Sequence, residues 1–273
     1  MSLFHVDKDK CRKDGICAAV CPLGLIAWRK DHHPHPTPEA EELCIACGHC
    51  VAACPHGALD HRDMAASDCP PVRPELALDP QQVEHFLRSR RSIRTYRDQP
   101  VPRKTIAELI RLASHAPSGH NRQPTHWLVL SRREELQRLA GMVITWMEVV
   151  KAKNRALFDL LHMDRVIARW QAGQDVILRS APALVVAHAP KDERTAPPAC
   201  TIALAYLELA APAFGLGACW AGYFNAAAST YPPLNHALHL PQDHSTFGAM
   251  MLGYPKYPYH RLPLRHPPRI TWR

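Results

Sequence analysis

Seven of the ten cysteines lie near the N-terminus, in two runs that share one spacing. The second run, residues 44–55, reads CIACGHCVAACP and ends its four cysteines on a proline. The first run, residues 11–22, reads CRKDGICAAVCP, with Asp14 where the second cysteine would stand. We call residues 11–22 frame 1 and residues 44–55 frame 2. Charged residues occupy the place where a signal peptide needs an apolar core, so we expect a reducing, cytoplasmic compartment. Thiols clustered there indicate metal binding rather than disulfides.

The cysteine spacing of frame 2 distinguishes an iron–sulfur site from a zinc site. Zinc modules use two separated cysteine pairs, whereas this run places its cysteines too close together and adds a trailing proline. The Cys-x2-Cys-x2-Cys-x3-Cys-Pro pattern resembles that of the bacterial two-cluster ferredoxins, over residues 1–66. The resemblance implies two iron–sulfur clusters, with the last cysteine of each frame serving the other frame's cluster.

This exchange predicts one ligand set for each cluster. One set is Cys44, Cys47, Cys50 and Cys21, and the other is Cys11, Cys17, Cys54 and Asp14. Asp14 departs from the ferredoxin pattern, and a carboxylate is a harder, more exchangeable iron ligand than a thiolate. We expect a 4Fe-4S cluster with Asp14 as a ligand; the alternatives are water at that corner or a 3Fe-4S cluster. Gly15 and Gly48 follow the second ligand position, where a tight loop needs a small residue.

The rest of the chain predicts a linker and a larger domain. Residues 67–79 form a proline-rich linker, and residues 80–273 alternate helical and strand patterns, which indicates an α+β layered fold. The predicted helices are 80–89, 103–116, a mostly helical stretch 134–163, and 199–214; the predicted strands are 126–131, 183–188, 219–224 and 246–252. We expect the uncharged stretch 209–237 to be a buried helix and strand, not a membrane span.

The formal charge of +8 raises nucleic acid as a partner. Seven thiolates, two cluster cores of about +2 each and one bound phosphate group of about −2 would reduce the net charge to roughly +3. No basic run is interleaved with aromatic residues, so we expect no nucleic-acid partner.

Residues 80–273 contain neither a Rossmann glycine motif nor a P-loop. Instead, the stretch RRSIRTY at residues 90–96 follows a helix and groups three arginines with a serine. Such a stretch suits a doubly charged phosphate, because arginine offers bidentate hydrogen bonds. By itself it is equally consistent with a solvated basic turn.

Three further stretches shift this balance: APSGHNRQP at 116–124, GLGACWAG at 215–222, and LGYP at 252–255 leading to HRLP at 260–263. In this order they resemble the FMN-dependent nitroreductase family, over essentially all of residues 80–273. The resemblance implies an FMN site whose residues are Arg90, Arg91, Ser92, Arg94, Asn121, Ala221, Gly222 and Arg261. The arginines and Ser92 would hold the phosphate and ribityl chain, Asn121 would hydrogen-bond the flavin, and Ala221 and Gly222 would lie against the isoalloxazine. Many family members carry a lysine where this chain has Tyr259, so phosphate binding would depend more on Arg94 and Arg261.

The combined pattern resembles a nitroreductase fused to a ferredoxin. It implies an oxidoreductase that takes electrons from an external low-potential donor such as ferredoxin, through two clusters and FMN, to a small acceptor such as a nitroaromatic or quinone. It also implies a homodimer with flavins at the interface. Catalysis would be centred on the flavin, and His120 and Tyr223 are better interpreted as lining residues than as proton donors. The alternatives are an electron-transfer partner protein and an NAD(P)H-driven nitroreductase with sensing clusters.

Overall fold

The computed structural model describes residues 2–273 and divides into two compact units. Unit 1 comprises the chain up to Leu78 together with His120–Arg122, and unit 2 comprises Asp79–Gly119 and Gln123–Arg273.

Unit 1 contains short elements around a small core. Its strands form two antiparallel pairs, and its helices have one turn each: β1 (Phe4–Val6) pairs with β4 (Leu59–His61), β2 (Ile26–Ala27) pairs with β3 (His35–Pro36), and the helices are α1 (Ile16–Ala19), α2 (Ala40–Leu43) and α3 (His49–Ala52). Eight residues form the buried core, including Phe4, Leu25 and Leu59. A core this small is consistent with a unit that depends on bound metal for stability.

Unit 2 is built on a four-stranded antiparallel sheet in the order β5–β6–β8–β7. Its strands are β5 (His126–Leu130), β6 (Ala183–Pro190), β7 (Gly217–Trp220) and β8 (His244–Gly253). Its helices are α4 (Pro80–Ser89), α5 (Arg103–Ala113), α6 (Arg133–Lys153), α7 (Arg155–Leu160), α8 (Met163–Gln171), α9 (Ala196–Ala210), α10 (Gly222–Thr230) and α11 (Pro232–Ala237).

The central strands are buried on both faces, which gives the unit three layers. Along β6, Leu184 and Val186 join a core with helices α6, α8, α10 and α11, whereas Val185 and Ala187 join a core with α5 and α9. This alternation follows the two-residue period of a strand. The predicted α+β layered fold is therefore confirmed.

Most predicted elements lie within a few residues of the observed ones, with two differences. The predicted helix 134–163 is interrupted at Asn154, whose side chain caps the next helix by accepting from Leu157 N–H at 3.1 Å. The predicted strand 219–224 is wrong at its end, because β7 stops at Trp220 and α10 starts at Gly222. Phe224 then faces the core from a helix, and this alanine-rich stretch has no period that separates the two structures.

Residues Ala196–Phe214, which are α9 and the following 3-10 turn, are long and apolar enough to cross a membrane by length and composition. Within the fold, Cys200, Leu204 and Leu207 of this helix are fully buried in the core shared with α5 and the sheet. Such packing is typical of the core helix of a globular protein.

Three histidines cluster on neighbouring strands of the sheet. Nδ1 of His188 lies 2.8 Å from Nδ1 of His244, and the His126 ring lies 4.8 Å from the His244 ring. His188 is almost fully buried, and this burial is the main cause that lowers its pKa from 6.5 to about 4. The neighbouring His244 and His126 lower the pKa of His188 further in the same direction. The folded protein therefore holds His188 neutral at neutral pH.

Candidate iron–sulfur and flavin sites

Two left-handed glycines shape the cysteine loops. Gly15 and Gly48 have φ of 76° and 73° and precede α1 and α3. A Cβ built on Gly15 would lie 2.7 Å from the Trp28 ring, and one on Gly48 would lie 2.8 Å from Sδ of Met64. The left-handed backbone favours glycine at both positions, and at Gly15 the close approach of the Trp28 ring also excludes a side chain.

The structure gathers the frame residues around two separate cavities. Four cysteines line the first cavity: Cys21, Cys44, Cys47 and Cys50. Three cysteines and the aspartate line the second: Cys11, Asp14, Cys17 and Cys54. These groups match the predicted exchange of the last cysteine between frames, and they bring together residues that are distant in sequence. Ligation of iron by these residues remains a prediction.

The donor atoms of these cavities fit iron–sulfur clusters. Backbone N–H groups of Leu25 and Ala58 each donate at 3.3 Å to a sulfur, that of Cys21 and that of Cys54 respectively. Burial raises the pKa of the Cys17 thiol to about 11, and it also raises the pKa of Cys50. Sulfurs buried like those of Cys17 and Cys50 become thiolates when a cation displaces the proton, and the amide donors at Cys21 and Cys54 would stabilise negative charge on those two sulfurs.

Asp14 lies at the second cavity with both carboxylate oxygens near polar groups. Its Oδ1 accepts from Ile16 N–H at 3.1 Å, and its Oδ2 lies 3.8 Å from Nε2 of His56. A carboxylate retains lone pairs beside one hydrogen bond, so these contacts are compatible with binding iron. The role of Asp14 as a ligand remains a prediction.

Three of the four predicted flavin stretches meet in unit 2. Ile93 N–H donates to Ala218 O at 2.9 Å, which attaches residues 90–96 to β7. Tyr96 forms a β-bridge with Pro255, just beyond β8. Residues 90–96, 215–222 and 252–255 therefore form one region, which we call the arginine region.

The arginines of this stretch have different environments. Arg90 is ion-paired to Glu208 of α9, with Nη1 at 2.8 Å from Oε1, and only 9% of the Glu208 side chain is exposed. Nε1 of Trp220 donates to the other Glu208 oxygen at 3.2 Å. Arg91 is half-buried, with its Nε donating to Arg90 O at 2.7 Å, whereas Arg94 is exposed. Arg90 thus has a structural partner, Glu208, that the sequence did not indicate. Arg94 is more available than Arg90 for binding a phosphate.

The structure adds Arg179 to the arginine region. Burial and then the positive charge of Arg94 lower the pKa of the Arg179 guanidinium. Two guanidinium groups close enough to repel fit a site for a doubly charged phosphate, which would neutralise both. Arg179 stands alone in the sequence before a buried strand, so no motif could have identified it.

Ala221 and Gly222 provide the second feature that fits a flavin. Ala221 is buried, and its N–H donates to Ala249 O at 2.9 Å, which fixes the backbone between β7 and α10. A Cβ built on Gly222 would meet nothing within 4 Å, and Gly222 is exposed. The backbone at Gly222 is therefore open on this side, as the predicted contact with a flat ring requires.

The other two predicted flavin residues, Asn121 and Arg261, lie outside the three stretches of the arginine region. Asn121 belongs to unit 1, where its side-chain nitrogen donates to Ile45 O at 3.2 Å and to Ala46 O at 3.0 Å. Arg261 lies in the exposed C-terminal segment. The flavin roles of Asn121 and Arg261 remain predictions.

Unit 2 also has a cavity of about 560 Å³ that contains none of the predicted flavin residues. Its lining includes Arg97, Arg133, Trp170 and Asp175. The flavin prediction therefore rests on the arginine region and not on this cavity.

Comparison with known proteins identifies both parts of the chain. The Nitroreductase family matches residues 87–254, and the 4Fe-4S dicluster domain matches residues 9–59. The NADH dehydrogenase of Thermus thermophilus is 31% identical over 201 residues, covering 67% of this chain and 92% of that protein. The 4-nitrobenzoate reductase of Nocardioides sp. is 38% identical over 80 residues, which span 29% of this chain and only 32% of that protein.

Solved structures agree on the fold. A nitroreductase with bound FMN from Bacteroides fragilis has a TM-score of 0.59 and 19% identity, covering 70% of this chain and 99% of that one. The predicted family and the predicted N-terminal ferredoxin-type domain are thereby confirmed. With a 4Fe-4S dicluster domain preceding its flavoprotein fold, this chain belongs to the nitroreductase family of oxidoreductases.

Proposed function

We propose that the protein takes single electrons from a low-potential donor such as a ferredoxin and delivers them to a small acceptor such as a nitroaromatic or a quinone. When bound, the iron–sulfur clusters supply one-electron carriers, and FMN supplies a store for two electrons. The single observation that carries the proposal is the presence of two cysteine-lined cavities in a chain of the nitroreductase family.

Residues of this chain would hold each cofactor. The two cavity sets would hold the clusters, with Asp14 completing the second set. For FMN, the phosphate would lie with Arg94, Arg179 and Arg261, and the flat ring would lie against Gly222. The FMN of the Bacteroides fragilis protein supports this choice of flavin.

The proposed assembly is a homodimer with flavins at the interface. Support comes from α4, whose apolar side chains Val83, Phe86 and Leu87 are 38%, 40% and 53% exposed. A second copy would cover this face. The proposed location is a reducing, cytoplasmic compartment, because the seven frame cysteines must stay reduced to bind iron.

A second candidate is reduction by NAD(P)H. The relative from Thermus thermophilus is named an NADH dehydrogenase, and this name favours a nicotinamide donor. In that case the clusters would act as sensors or structural groups. A third possibility is a relay protein, in which another protein takes the place of the small acceptor.

The test is an anaerobic assay of the full-length, reconstituted protein with each donor and acceptor. Cys47→Ala removes a residue of the first cavity without supplying an oxygen ligand, and Cys69→Ala, outside both frames, is the matched control. We expect Cys47→Ala to lose turnover with reduced ferredoxin and to keep it with dithionite. Full ferredoxin turnover in this variant, with iron analysis showing that the first cluster is lost, would exclude that cluster from the electron path.

Two further outcomes separate the candidates. Rapid bleaching of the flavin by NAD(P)H alone would support the nicotinamide-driven enzyme. Reduction by ferredoxin without turnover of any nitroarene or quinone would support the relay protein.

A further inference from the structure

The side chain of His61 approaches a cysteine of the first cavity. His61 ends β4, is almost fully buried, and lines the same cavity as Cys21, Cys44, Cys47 and Cys50. Its Nε2 lies 3.7 Å from Sγ of Cys44, within the range of a hydrogen bond to sulfur.

The hydrogen bonds around His61 define which ring nitrogen carries the proton. The backbone N–H of Asp63 donates to Nδ1 at 3.1 Å, so Nδ1 must present its lone pair. In the neutral ring the proton then resides on Nε2, which faces the sulfur. The Asp63 carboxylate lies 3.8 Å from Nδ1, beyond hydrogen-bond distance, and is largely exposed.

The backbone holds this ring in place. His61 N–H donates to Met64 O at 3.0 Å, and Met64 N–H donates back to His61 O at 2.9 Å. Across the strand pair, His61 is in register with Phe4, which is buried. The imidazole therefore projects from a closed turn on a paired strand.

Frame 1 offers a direct comparison within the same chain. Trp28 stands as far beyond Cys21 as His61 stands beyond Cys54. Its Nε1 donates to the backbone O of Lys13 at 3.1 Å and not to a sulfur. The two equivalent positions thus direct their ring N–H groups to different acceptors.

We propose that His61 is a positioning residue that raises the reduction potential of the cluster held by Cys21, Cys44, Cys47 and Cys50, by donating its Nε2–H to the Cys44 thiolate. Reduction adds negative charge to a cluster, and a donor at a ligand sulfur stabilises the reduced form more than the oxidised form. Among the hydrogen bonds of the described residues, none joins a histidine to a cysteine of the second cavity, where His56 approaches the carboxylate of Asp14 instead. His61 therefore makes the two clusters electronically different.

The inference rests on cluster ligation as proposed above, but it is independent of the donor and acceptor. The experiment is an EPR-monitored redox titration of the full-length protein with both clusters, comparing His61→Phe with Trp28→Phe. We expect His61→Phe to lower the reduction potential of the cluster held by Cys21, Cys44, Cys47 and Cys50 by about 59 mV. For one electron, this shift is about a tenfold decrease in the equilibrium constant for reduction. We expect Trp28→Phe to leave this cluster unchanged. Unchanged potentials in His61→Phe, at full iron content, would overturn the proposal.

A second measurement keeps His61, in case His61→Phe fails to assemble. It uses a His49→Gln protein with ring-15N histidine, because His49 also lines the first cavity. This protein is reduced, and pulsed EPR records the coupling of 15N and of exchangeable protons to the cluster spin. Coupling of a histidine 15N and of its exchangeable proton to the cluster without Asp14 supports the hydrogen bond from His61, and the absence of both couplings overturns it. If the protein takes up no iron at all, the proposed ligation fails, and iron analysis detects that failure separately.

Discussion

Replacing Arg90 with alanine tests whether this arginine is a structural residue as well as a predicted flavin residue. The change would leave Glu208 in the core with Trp220 Nε1 as its remaining hydrogen-bond donor among the contacts described above. Breaking a buried ion pair costs about 3–5 kcal/mol. Because 26% of the Arg90 side chain is exposed and Trp220 still donates, we expect a loss of about 2–3 kcal/mol.

The assay is thermal unfolding of the flavin-free, full-length protein. Calorimetry records the Tm of the transition that belongs to unit 2. A loss of this size lowers the Tm of a unit of this length by about 5–10 °C. Glu208→Gln removes the buried charge, so the double variant Arg90→Ala/Glu208→Gln should be more stable than Arg90→Ala alone. The coupling in this cycle should reach about 1–2 kcal/mol.

Arg94→Ala is the matched control, because Arg94 is exposed and contacts only the backbone O of Ser92, at 3.4 Å, among the hydrogen bonds described. It should leave the Tm of the flavin-free protein unchanged and weaken FMN binding by about 1–3 kcal/mol. An Arg90→Ala protein that unfolds at the native Tm, or strictly additive effects in the cycle, would refute the role assigned to the Glu208 pair.

The remaining predictions concern the flavin, the sheet and the second cluster. Arg261→Ala should weaken FMN binding by about 1–3 kcal/mol in a fluorescence titration; unchanged affinity would place the phosphate elsewhere. Gly222→Val should lower flavin affinity without changing the Tm of the flavin-free protein. Gly217→Ala, whose Cβ would overlap Ile93 Cγ1, should lower that Tm. His188 has a folded pKa below its unfolded value, so its stability contribution is complete above pH 6.5 and is lost as pH falls toward 4. Between pH 7.5 and 5.5, urea unfolding should show a loss of about 1.4 kcal/mol that is absent in His188→Gln. Anaerobically purified protein should contain about eight irons and eight sulfides, and Asp14→Cys should resist oxygen better; a stoichiometric three-iron EPR signal would exclude Asp14 as a ligand.

The sequence predicted best where chemistry fixes spacing. The resemblance of the two frames to two-cluster ferredoxins predicted which cysteines share a cavity, and the structure groups the same residues. The sequence also predicted the start of α4 at Pro80. In the structure, Asp79 and Gln82 form a capping box at this helix end.

Contacts between distant residues could not be predicted in this way. Glu208 was a clue in retrospect, since a lone carboxylate in an alanine-rich helix needs a buried partner, but nothing in the sequence identified Arg90 as that partner. His61 lies outside both frames, and its approach to Cys44 depends on the pairing of β1 with β4. The end of β7 was mispredicted because the short apolar stretch 219–224 has no period that separates a buried strand from a buried helix.

The exchange of cysteines between the two cavities has a consequence for how the protein matures. Cys21 and Cys44 are about 23 residues apart, and inserting the first cluster must close that loop at a cost of about 3 kcal/mol in chain entropy. The same closure draws Cys54 toward Cys11 and Cys17, so the second cluster forms on a loop that is already closed. Cluster insertion should therefore be cooperative. Under limiting iron we expect a mixture of empty and fully loaded molecules, with few that carry a single cluster.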